Sequence, residues 1–175
     1  SHREQASIHK ITKYIGNSYA GPLFMKEILS INSILNDKKN PTTCIIGGSK
    51  ISTKIGVITS LIKKVDNLII VGAMANNFIK FKGNKIGKSL IEPRSEKFIK
   101  KIYDTAHKNN CEILIPFDFA VSETTDGNAN FKGLKDVADQ DIILDIGPRT
   151  IEEINKIIDV SKTVLWNGPA GYFEN

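Results

Sequence analysis

Short apolar segments that alternate with helical periodicity constrain the fold of this 175-residue chain more than any other feature of its sequence. The segments rich in β-forming residues are 43–46, 67–71, 112–117, 141–144 and 163–166. A parallel pair of strands needs a long crossover connection, which is usually a helix. Strands that alternate with helices therefore predict an α/β fold with a parallel sheet.

Helices are predicted in the intervals between these strands, and one is predicted before them. In the first interval, apolar residues recur at three- and four-residue steps, as on one helix face: Ile51, Ile55, Ile58, Leu61, Ile62 and Val65. Further helices are predicted over 22–37, 73–81 and 95–108, and from Pro148 onward. Ser95 is expected to cap the helix that follows it. The predicted fold is a Rossmann-like parallel sheet flanked by helices, with a polar, hairpin-like excursion at residues 122–136.

The composition suits one soluble globular domain. The chain is 41% hydrophobic and 25% charged, and its length allows one full core but not two. The longest apolar runs, 67–75 and 113–120, are far shorter than the roughly 20 residues of a membrane-spanning helix. The first residues are polar and lack the apolar centre of a signal peptide. We therefore predict a soluble protein with no membrane partner.

Cysteine and histidine are too sparse for a disulfide framework or a metal centre. Cys44 and Cys111 each lie beside an apolar segment, which favours buried free thiols in a reducing cytoplasm over a disulfide. His9 and His107 have no cysteine or histidine neighbour at metal-ligand spacing. We expect a cytoplasmic protein without a metal site.

The net charge of +5 raises the question of nucleic-acid binding. Most lysines fall on amphipathic stretches, such as Lys63 and Lys64 or the group from Lys97 to Lys101. Aromatic residues do not alternate with them, as a base-stacking platform would require. Solvated helix faces with some attraction for anionic metabolites are the better interpretation, so we predict no nucleic-acid partner.

Glycine-rich turns follow the predicted strands, at the edge where α/β sheets bind their ligands. The turns contain Gly47 and Gly48, then Gly72 and Ala73, then residues 145–148, and finally Asn167, Gly168 and Pro169. Glycine lets a ligand approach the backbone closely. Each turn alone could equally be an ordinary connection between a strand and a helix.

Two lysines in the first of these turns could bind an anion. Lys50 and Lys54 are four residues apart, so a helix that begins near Ile51 would present both from adjacent turns of its amino end. Free amides and the helix dipole favour negative charge there, and two ammonium groups would suit a polyphosphate and the charge compensation of phosphoryl transfer. The alternative is a tight turn with solvated lysines, since the spacing matches neither a P-loop nor a dinucleotide fingerprint.

Polar side chains at other predicted strand ends are less diagnostic. Asn167 and Glu174 could hydrogen-bond ribose hydroxyls, but the loop that contains them could also be a structural turn. Asp118 and Asp145 stand at strand ends, where aspartate more often caps a helix or forms a turn than acts in catalysis.

Five ordered motifs together resemble the phosphoglycerate kinase family. They are residues 47–55 (Gly-Gly-Ser-Lys-Ile-Ser-Thr-Lys-Ile), 72–76 (Gly-Ala-Met-Ala-Asn), 86–90 (Ile-Gly-Lys-Ser-Leu), 144–148 (Leu-Asp-Ile-Gly-Pro) and 166–174 (Trp-Asn-Gly-Pro-Ala-Gly-Tyr-Phe-Glu). Residues 1–7 also resemble the His-Arg segment at the end of the family's amino-terminal domain, and residues 20–23 resemble the start of its interdomain helix. The likeness spans nearly the whole chain, and five motifs in one order are highly specific.

The resemblance implies a glycolytic, monomeric, two-domain kinase that moves a phosphoryl group between 1,3-bisphosphoglycerate and Mg-ADP, giving 3-phosphoglycerate and ATP. Residues 1–21 would be a remnant of the amino-terminal triose-phosphate domain, 22–38 the interdomain helix, and 39–175 an incomplete carboxyl-terminal, nucleotide-binding domain. Lys54, with Lys50 beside it, would neutralise the transferred group. Arg3 would contact the triose substrate.

The same resemblance implies a nucleotide site. The adenine side would be lined by Gly47, Gly48, Gly72, Ala73, Leu90, Ile142 and Ala170. The ribose side would be formed by Asn167, Pro169 and Glu174, and further nucleotide contacts carry over to Ser49, Ile143 and Gly168. Ala73 and Ile142 replace the family's usual glycine and methionine, which are changes of shape that should leave adenine binding intact.

Two parts of the family pattern are missing from the sequence. One is the Gly-Gly-Gly-Asp-[Ser/Thr] loop that supplies the magnesium aspartate, and the other is most of the triose-phosphate domain. The resemblance therefore predicts a fragment that is inactive alone, with Mg-ATP or Mg-ADP as substrate and no metal ligand of its own. The alternative is a non-catalytic nucleotide-binding or interaction module.

Overall fold

The computed structural model describes residues 6–36 and 39–174 of the chain. Contacts between residues divide the chain into two units, 1–37 and 38–175. In the first unit, two short helical turns, Ala6–Lys10 and Ile11–Lys13, precede helix α1, Pro22–Asn36. The helix predicted over 22–37 is confirmed up to Asn36, and Asp37 lies outside the described residues. The finer domain boundaries, at residues 21 and 38, stay a prediction.

Within its described residues, the second unit contains two sheets and four helices. The strands are β1 (Thr42–Ile46), β2 (Asn67–Ile70), β3 (Glu112–Leu114), β4 (Asp118–Ser122), β5 (Asn130–Gly133), β6 (Ile142–Ile146) and β7 (Thr163–Asn167). The helices are α2 (Ile55–Ile62), α3 (Ala73–Phe81), α4 (Glu96–Lys108) and α5 (Pro148–Val160). None of the helices that the structure describes combines the length and the apolarity needed to cross a bilayer.

Four strands form the parallel sheet that the sequence predicts. Their order is β3-β2-β1-β7, and each neighbouring pair is parallel. The chain adds β2 and β3 on one side of β1 and later returns to place β7 on the other side. The strand order therefore reverses between β1 and β7, and a crevice forms at such a reversal outside the carboxyl ends of the strands. This crevice positions the candidate site.

The central strands of this sheet are buried. Every residue of β1 is buried, and one core cluster joins the sheet to α5 through Ile45, Ile69, Val71 and Ile154. Ile69 alternates along β2 with Leu68 and Ile70, whose side chains point to the opposite face. Both faces of the strands are therefore covered, which explains why they read as continuous apolar runs rather than as an alternating pattern.

One predicted strand does not belong to the parallel sheet. The segment 141–144 becomes β6, which pairs antiparallel with β4 in a second sheet of order β5-β4-β6. The prediction that 141–144 joins the parallel sheet was wrong, because an apolar segment does not indicate which strand it pairs with. Its partner, β4, overlaps the apolar run 113–120 and was not predicted as a separate strand. The strand predicted over 112–117 ends at Leu114, before Pro116, since proline cannot donate to a strand ladder. The hairpin character of 122–136 is confirmed by the antiparallel pairing of β4 with β5.

The helices match the predicted intervals except at two amino ends and at the carboxyl end of α2, which stops at Ile62 and leaves Val65 of the predicted helix face outside it. The helix predicted from Ile51 begins only at Ile55, after a turn over 51–54. Ser95 precedes α4 as predicted, but it makes no capping hydrogen bond, and its hydroxyl donates to Asn77 Oδ1 at 3.2 Å instead. At both amino ends a contact with a distant residue replaces the local arrangement that the sequence favours.

Candidate functional site

Three loops meet at the carboxyl ends of β1, β2 and β7, where the strand order reverses. Backbone hydrogen bonds join them: the Gly47 amide donates to the Asn167 carbonyl oxygen at 2.8 Å, and the Gly72 amide donates to the Ala170 carbonyl oxygen at 2.8 Å. These bonds fix each loop relative to the others. We call the segments 47–50, 72–74 and 167–170, which include the first residues of α3 and the last residue of β7, the backbone wall.

The glycines of the backbone wall leave no room for side chains. A Cβ on Gly47 would lie 1.9 Å from the Pro169 carbonyl oxygen, and a Cβ on Gly72 would lie 2.8 Å from the same atom. Gly72 has a φ of +67° and Gly168 has a φ of +86°, in the left-handed region that favours glycine. Close approach and backbone conformation therefore both require glycine here.

A cavity of about 390 Å³ opens beside the backbone wall. Its volume falls within the range of small-molecule sites, roughly 300 to 1,000 Å³. Most of the predicted nucleotide-site residues line it, namely Gly48, Ser49, Gly72, Ala73, Leu90, Ile142, Ile143, Pro169 and Glu174. The structure thus brings together residues that are far apart in the sequence.

Another part of the lining comes from apolar residues of β6 and of the loop after α3. A Cβ on Gly87 would lie 2.1 Å from the Asp141 carbonyl oxygen, so this loop lies directly against the start of β6. The Ile143 amide donates to the Ser89 hydroxyl at 2.8 Å. These contacts place Leu90 beside β6 in the lining of the cavity. We call Leu90, Ile142, Ile143 and Leu144 the side-chain wall.

Residues 171–174 also line the cavity. The Tyr172 amide donates to the Leu144 carbonyl oxygen at 2.7 Å. A Cβ on Gly171 would lie 2.2 Å from Asp145 Cγ. The loop is therefore packed against the end of β6, and it brings Glu174 into the lining of the cavity.

Lys54 is half-buried at the amino end of α2 and is held against the backbone wall. Its Nζ donates to the Gly47 carbonyl oxygen at 2.9 Å and to Asn167 Oδ1 at 3.0 Å. An ammonium group carries three N–H donors, so these two bonds leave a third for a ligand. The positive charge is thereby fixed against the backbone wall, which contributes Gly48, Gly72 and Pro169 to the lining, while Lys54 itself does not line the cavity.

The sequence predicts free amides for an anion near Ile51, but in the structure the amides of Ile51 and Ser52 lie in the turn before α2 and are already paired. Glu92 Oε2 accepts hydrogen bonds from the Ile51 amide at 2.7 Å and from the Ser52 amide at 3.0 Å. Glu92 Oε1 accepts from the Ser52 hydroxyl. The protein's own carboxylate therefore occupies the predicted anion position, and Lys50 is exposed beside it.

The ionised form of Glu92 is favoured in this position. Burial opposes ionisation, but the hydrogen bonds from Ser52 and Ile51 and the charge of Lys50 outweigh it. The pKa of Glu92 is therefore lowered from its ordinary value. The Glu92 amide also donates to Asn77 Oδ1 at 2.8 Å, so this residue clamps the turn before α2 to α3.

Asp118 takes the capping role that the sequence favours for it, whereas Asp145 lies within a strand and takes neither a cap nor a turn role. Asp118 is buried, and its carboxylate accepts hydrogen bonds from the amides of Arg149 at 2.9 Å and Thr150 at 2.7 Å. These amides belong to the first turn of α5, so Asp118 caps a helix distant in the chain. Asp145 Oδ1 accepts from the Ile146 amide at 2.7 Å. Both positions differ from the prediction, because Asp118 begins β4 and Asp145 lies within β6.

The two cysteines are free and buried, as predicted. Burial raises the pKa of Cys44 to about 12 and the pKa of Cys111 to about 11. Both thiols therefore stay protonated at neutral pH. Across residues 6–36 and 39–174, no three His, Cys, Asp or Glu side chains cluster in a way that could hold a metal ion.

Some predicted site residues lie outside the lining of the cavity, and the two predicted catalytic residues, Lys50 and Lys54, are among them. Gly47, Asn167 and Gly168 belong to the backbone wall, where they contact one another or Lys54. Ala170 packs against the core cluster. Arg3, predicted to contact the triose substrate, lies outside the described residues.

Several residues that line the cavity were not predicted as site residues. They are Asn76, Thr125, Leu144, Gly171, Tyr172 and Phe173. All except Thr125 fall inside the motifs that carry the family resemblance, so their position within a motif was the available signal. Thr125 lies in the turn between β4 and β5, and nothing in its local sequence indicates that it reaches the cavity.

Comparisons with known proteins point to one family. A model of the family described as phosphoglycerate kinase matches residues 1–175. The phosphoglycerate kinase of Wolbachia pipientis wMel is 44% identical over 176 residues, which cover 100% of this chain and 44% of that protein. The phosphoglycerate kinase of Bartonella bacilliformis is 40% identical over 99% of this chain and 44% of that protein.

A solved structure agrees with these sequence matches. The structure of phosphoglycerate kinase from Coxiella burnetii matches with a TM-score of 0.85 and 35% sequence identity, covering 99% of this chain and 46% of that chain. The chain thus spans less than half the length of these relatives, and its parallel sheet flanked by helices is shared with them. The chain belongs to the phosphoglycerate kinase family.

Proposed function

We propose that this chain is the nucleotide-binding part of a glycolytic phosphoglycerate kinase. In the proposed reaction, the enzyme moves a phosphoryl group between 1,3-bisphosphoglycerate and Mg-ADP, giving 3-phosphoglycerate and ATP. The observation that carries this proposal is an ammonium group, Lys54 Nζ, held by Gly47 and Asn167 of the backbone wall, which borders a cavity of about 390 Å³. Membership of the family supports the proposed reaction, and the geometry of the cavity supports a nucleotide as its ligand.

The two walls of the cavity suit the two ends of a nucleotide. The side-chain wall offers apolar contact to an adenine ring, and Gly72 and Ala73 let the ring approach the start of α3. The carboxylate of Glu174 is an acceptor for ribose hydroxyls. At the other end, the ammonium group of Lys54 suits the phosphates. Adenine would therefore lie on the side-chain wall, with the phosphates toward β1.

Lys54 supplies positive charge where phosphoryl transfer needs it. The transferring group spreads negative charge over its equatorial oxygens. A charge that is already held by Gly47 and Asn167 stabilises that group without reorganising during the reaction. Lys50 adds a second positive charge to the same loop. Magnesium enters with the nucleotide, as part of the substrate.

We also propose that the protein is cytoplasmic and monomeric, with no nucleic-acid or membrane partner. Two buried free thiols support a reducing compartment. The net charge of +5 suits anionic metabolites such as nucleotides and phosphoglycerates. Light scattering after size-exclusion chromatography tests the monomer, and salt-dependent binding to DNA or RNA would contradict the absence of a nucleic-acid partner.

Nucleotide binding is tested by titrating the 175-residue chain with ADP and with adenosine. We expect dissociation constants in the submillimolar to millimolar range, roughly 4 to 5 kcal/mol of binding free energy. The apolar part of the cavity supplies most of the contact area, so the two affinities should differ by less than about tenfold. The amide resonances of Gly72 and Leu90 should shift on titration. Shifts that avoid both residues would contradict the proposed site.

Phosphoryl transfer is tested on the polypeptide encoded by the complete open reading frame that contains this chain. A coupled assay with 3-phosphoglycerate and Mg-ATP should show turnover above a blank without enzyme. Nucleotide binding without turnover in that polypeptide would favour the alternative, a non-catalytic nucleotide-binding module. Absence of both would contradict the proposed function altogether.

A further inference from the structure

A second cavity, of about 400 Å³, lies between the end of α3 and the start of α4. Its lining comes from the second half of α3, from the connecting segment 91–95 and from the first turn of α4. It shares no lining residue with the cavity beside the backbone wall. Its volume also falls within the range of small-molecule sites, roughly 300 to 1,000 Å³. The proposed nucleotide site therefore does not account for it.

The buried polar groups in the lining of the second cavity are already paired. Asn77 Oδ1 accepts hydrogen bonds from the Glu92 amide at 2.8 Å and from the Ser95 hydroxyl at 3.2 Å. The carboxylate of Glu92 accepts from the amides of the turn before α2. These bonds hold the segment 91–95 against α3. This part of the cavity is therefore shaped by the fold itself and does not need a ligand to form.

Three charged side chains in the lining remain available to a ligand. Lys80, Arg94 and Glu96 line the cavity and are exposed, so a ligand can reach them from solvent. Their charged groups have no hydrogen-bond or ion-pair partner among the described residues. A guanidinium group presents a planar fork of N–H donors that matches a carboxylate or a phosphate. Two unpaired cations against one unpaired carboxylate favour an anion.

Apolar residues border the same cavity as these cations. Phe81, in the last turn of α3, is 43% exposed, and Ile91 and Pro93 lie in the connecting segment. A single exposed apolar residue is ordinary on a protein surface. Here three of them line one cavity together with two unpaired cations, which suits a ligand that has both an anionic group and an apolar body.

The backbone conformation of Arg94 does not explain why an arginine occupies this position. Its φ is +60°, in the left-handed region that favours glycine. A residue with a Cβ is therefore less favourable there than glycine. Strained residues of this kind cluster at ligand-binding and other functional sites. A role for the guanidinium group in binding accounts for the arginine.

We propose that the second cavity binds a small organic anion, with a carboxylate or phosphate head and an apolar body. Lys80 and Arg94 bind the head, and Phe81 and Ile91 contact the body. Glu96 repels the head and limits the affinity. This inference goes beyond the proposed function, and it does not depend on nucleotide binding in the other cavity.

The test titrates the unmodified 175-residue chain with phenyl phosphate, phenylacetate and benzyl alcohol, followed by amide chemical shifts. All three ligands carry a phenyl ring, but only the first two are anions. Each anion should shift the amides of Arg94, Ser95 and Ile99 with a dissociation constant of roughly 1 to 10 mM. Benzyl alcohol should bind at least about fivefold more weakly there, because it leaves the cations unpaired.

Three outcomes of this titration would overturn the proposal. One is equal binding of benzyl alcohol, and another is the absence of any shift at these amides. The third is a set of shifts confined to Gly72 and Ile143, which line the other cavity. The relative affinity of the two anions shows whether the site prefers a phosphate or a carboxylate, and preference for either over benzyl alcohol supports the proposal.

Arg94→Gly tests the contribution of the guanidinium group without disturbing the fold. Glycine suits the left-handed backbone at this position, so the variant should fold normally. Its affinity for phenyl phosphate should fall at least about fivefold, while its affinity for adenosine should not change. Lys100→Gln, at an exposed position of α4 outside the lining, is the control that removes the same amount of charge. An equal loss in both variants would indicate general charge attraction and overturn the proposal.

Glu96→Gln tests the sign of the ligand's charge. Removing the repelling carboxylate should increase the affinity for phenyl phosphate by about twofold or more. Weaker binding in this variant would contradict an anion site. Circular dichroism checks the folding of each variant, and the titrations of the unmodified chain decide the matter if a variant is unfolded.

Discussion

The two walls of the candidate cavity are built on different principles. The backbone wall consists of main-chain segments in direct contact, so that a Cβ on Gly47 would lie 1.9 Å from the Pro169 carbonyl oxygen. The side-chain wall consists of apolar residues that line the cavity, and Leu90 is 62% exposed. The comparison shows that one wall fixes geometry and charge, while the other supplies contact area to a ligand.

This difference predicts how each wall responds to substitution. Closely packed backbone has little room to relax around an added atom, so the strain spreads into the fold. An exposed side chain can be shortened at the cost of the contact area that it gives the ligand. Changes in the backbone wall should therefore affect stability and catalysis, and changes in the side-chain wall should affect affinity alone.

The largest effect is expected from Lys54→Ala, which removes the charge that the backbone wall holds. In the polypeptide of the complete reading frame, losing one charge contact to the transferring group should cost roughly 3 to 4 kcal/mol, a rate decrease of more than about a hundredfold. A coupled assay measures this. Lys63→Ala, at an exposed lysine directly after α2, is the matched control. Near-normal turnover of Lys54→Ala would remove this residue from the proposed mechanism.

Gly47→Ala breaks the backbone wall itself. The added Cβ would collide with the Pro169 carbonyl oxygen, so the free energy of unfolding should fall by about 3 kcal/mol. Urea denaturation measures the loss. The control is Gly56→Ala, in α2, where nothing lies within 4 Å of the new Cβ. There alanine should stabilise the helix by roughly 0.5 to 1 kcal/mol, and similar values for the two variants would refute the close-packing argument.

Leu90→Ala tests the side-chain wall. Adenosine affinity should fall by about fivefold, because apolar contact with the base is lost. The free energy of unfolding should change by less than about 0.5 kcal/mol, because the side chain is 62% exposed. Val57→Ala, at an exposed position on α2, is the control for both measurements. A destabilisation as large as that of Gly47→Ala would remove the distinction between the walls.

The smallest effect is expected from Glu92→Gln, which weakens the clamp between the first glycine loop and α3. The pKa of Glu92 is lowered in the folded chain, so the unfolded chain binds the proton at higher pH. The stabilisation is therefore fully present above the ordinary glutamate pKa of about 4.3, and it is lost as the pH falls through the lower, folded-state pKa. Glu92→Gln should therefore show a smaller decrease in the free energy of unfolding than the unmodified chain as the pH falls below about 4.3.

The control for this acid titration is Glu123→Gln, at an exposed position in the turn after β4. Some acid dependence should remain in Glu92→Gln, because the pKa of Asp141 is also lowered. Burial opposes the ionisation of Asp141, but hydrogen bonds from Lys132 and the Ala138 amide outweigh it. If the free energy of unfolding of Glu92→Gln falls with acid pH in the same way as that of the unmodified chain, the Glu92 clamp contributes nothing to stability.

The backbone wall was easier to predict from the sequence than the side-chain wall. Gly47, Gly48 and Gly72 stand directly after strands with strong local patterns, so their place at the sheet edge followed from the parallel topology. The side-chain wall depends on β6, which local patterning assigned to the wrong sheet. Ile142 and Ile143 were named as site residues only because of the family resemblance, since their local sequence does not indicate the antiparallel pairing with β4 that positions them.

By itself, the sequence determined the alternation of strands and helices, the glycine turns at the sheet edge and the likeness to one kinase family. Only the tertiary structure decided that Glu92, 41 residues beyond Ile51, occupies the amides before α2. It also decided that Asn76, in α3, has a buried side-chain oxygen without a hydrogen-bond partner among the described residues. The physical reason is that periodicity and turn chemistry encode local backbone conformation. Hydrogen bonds between distant residues arise only when packing brings their elements together.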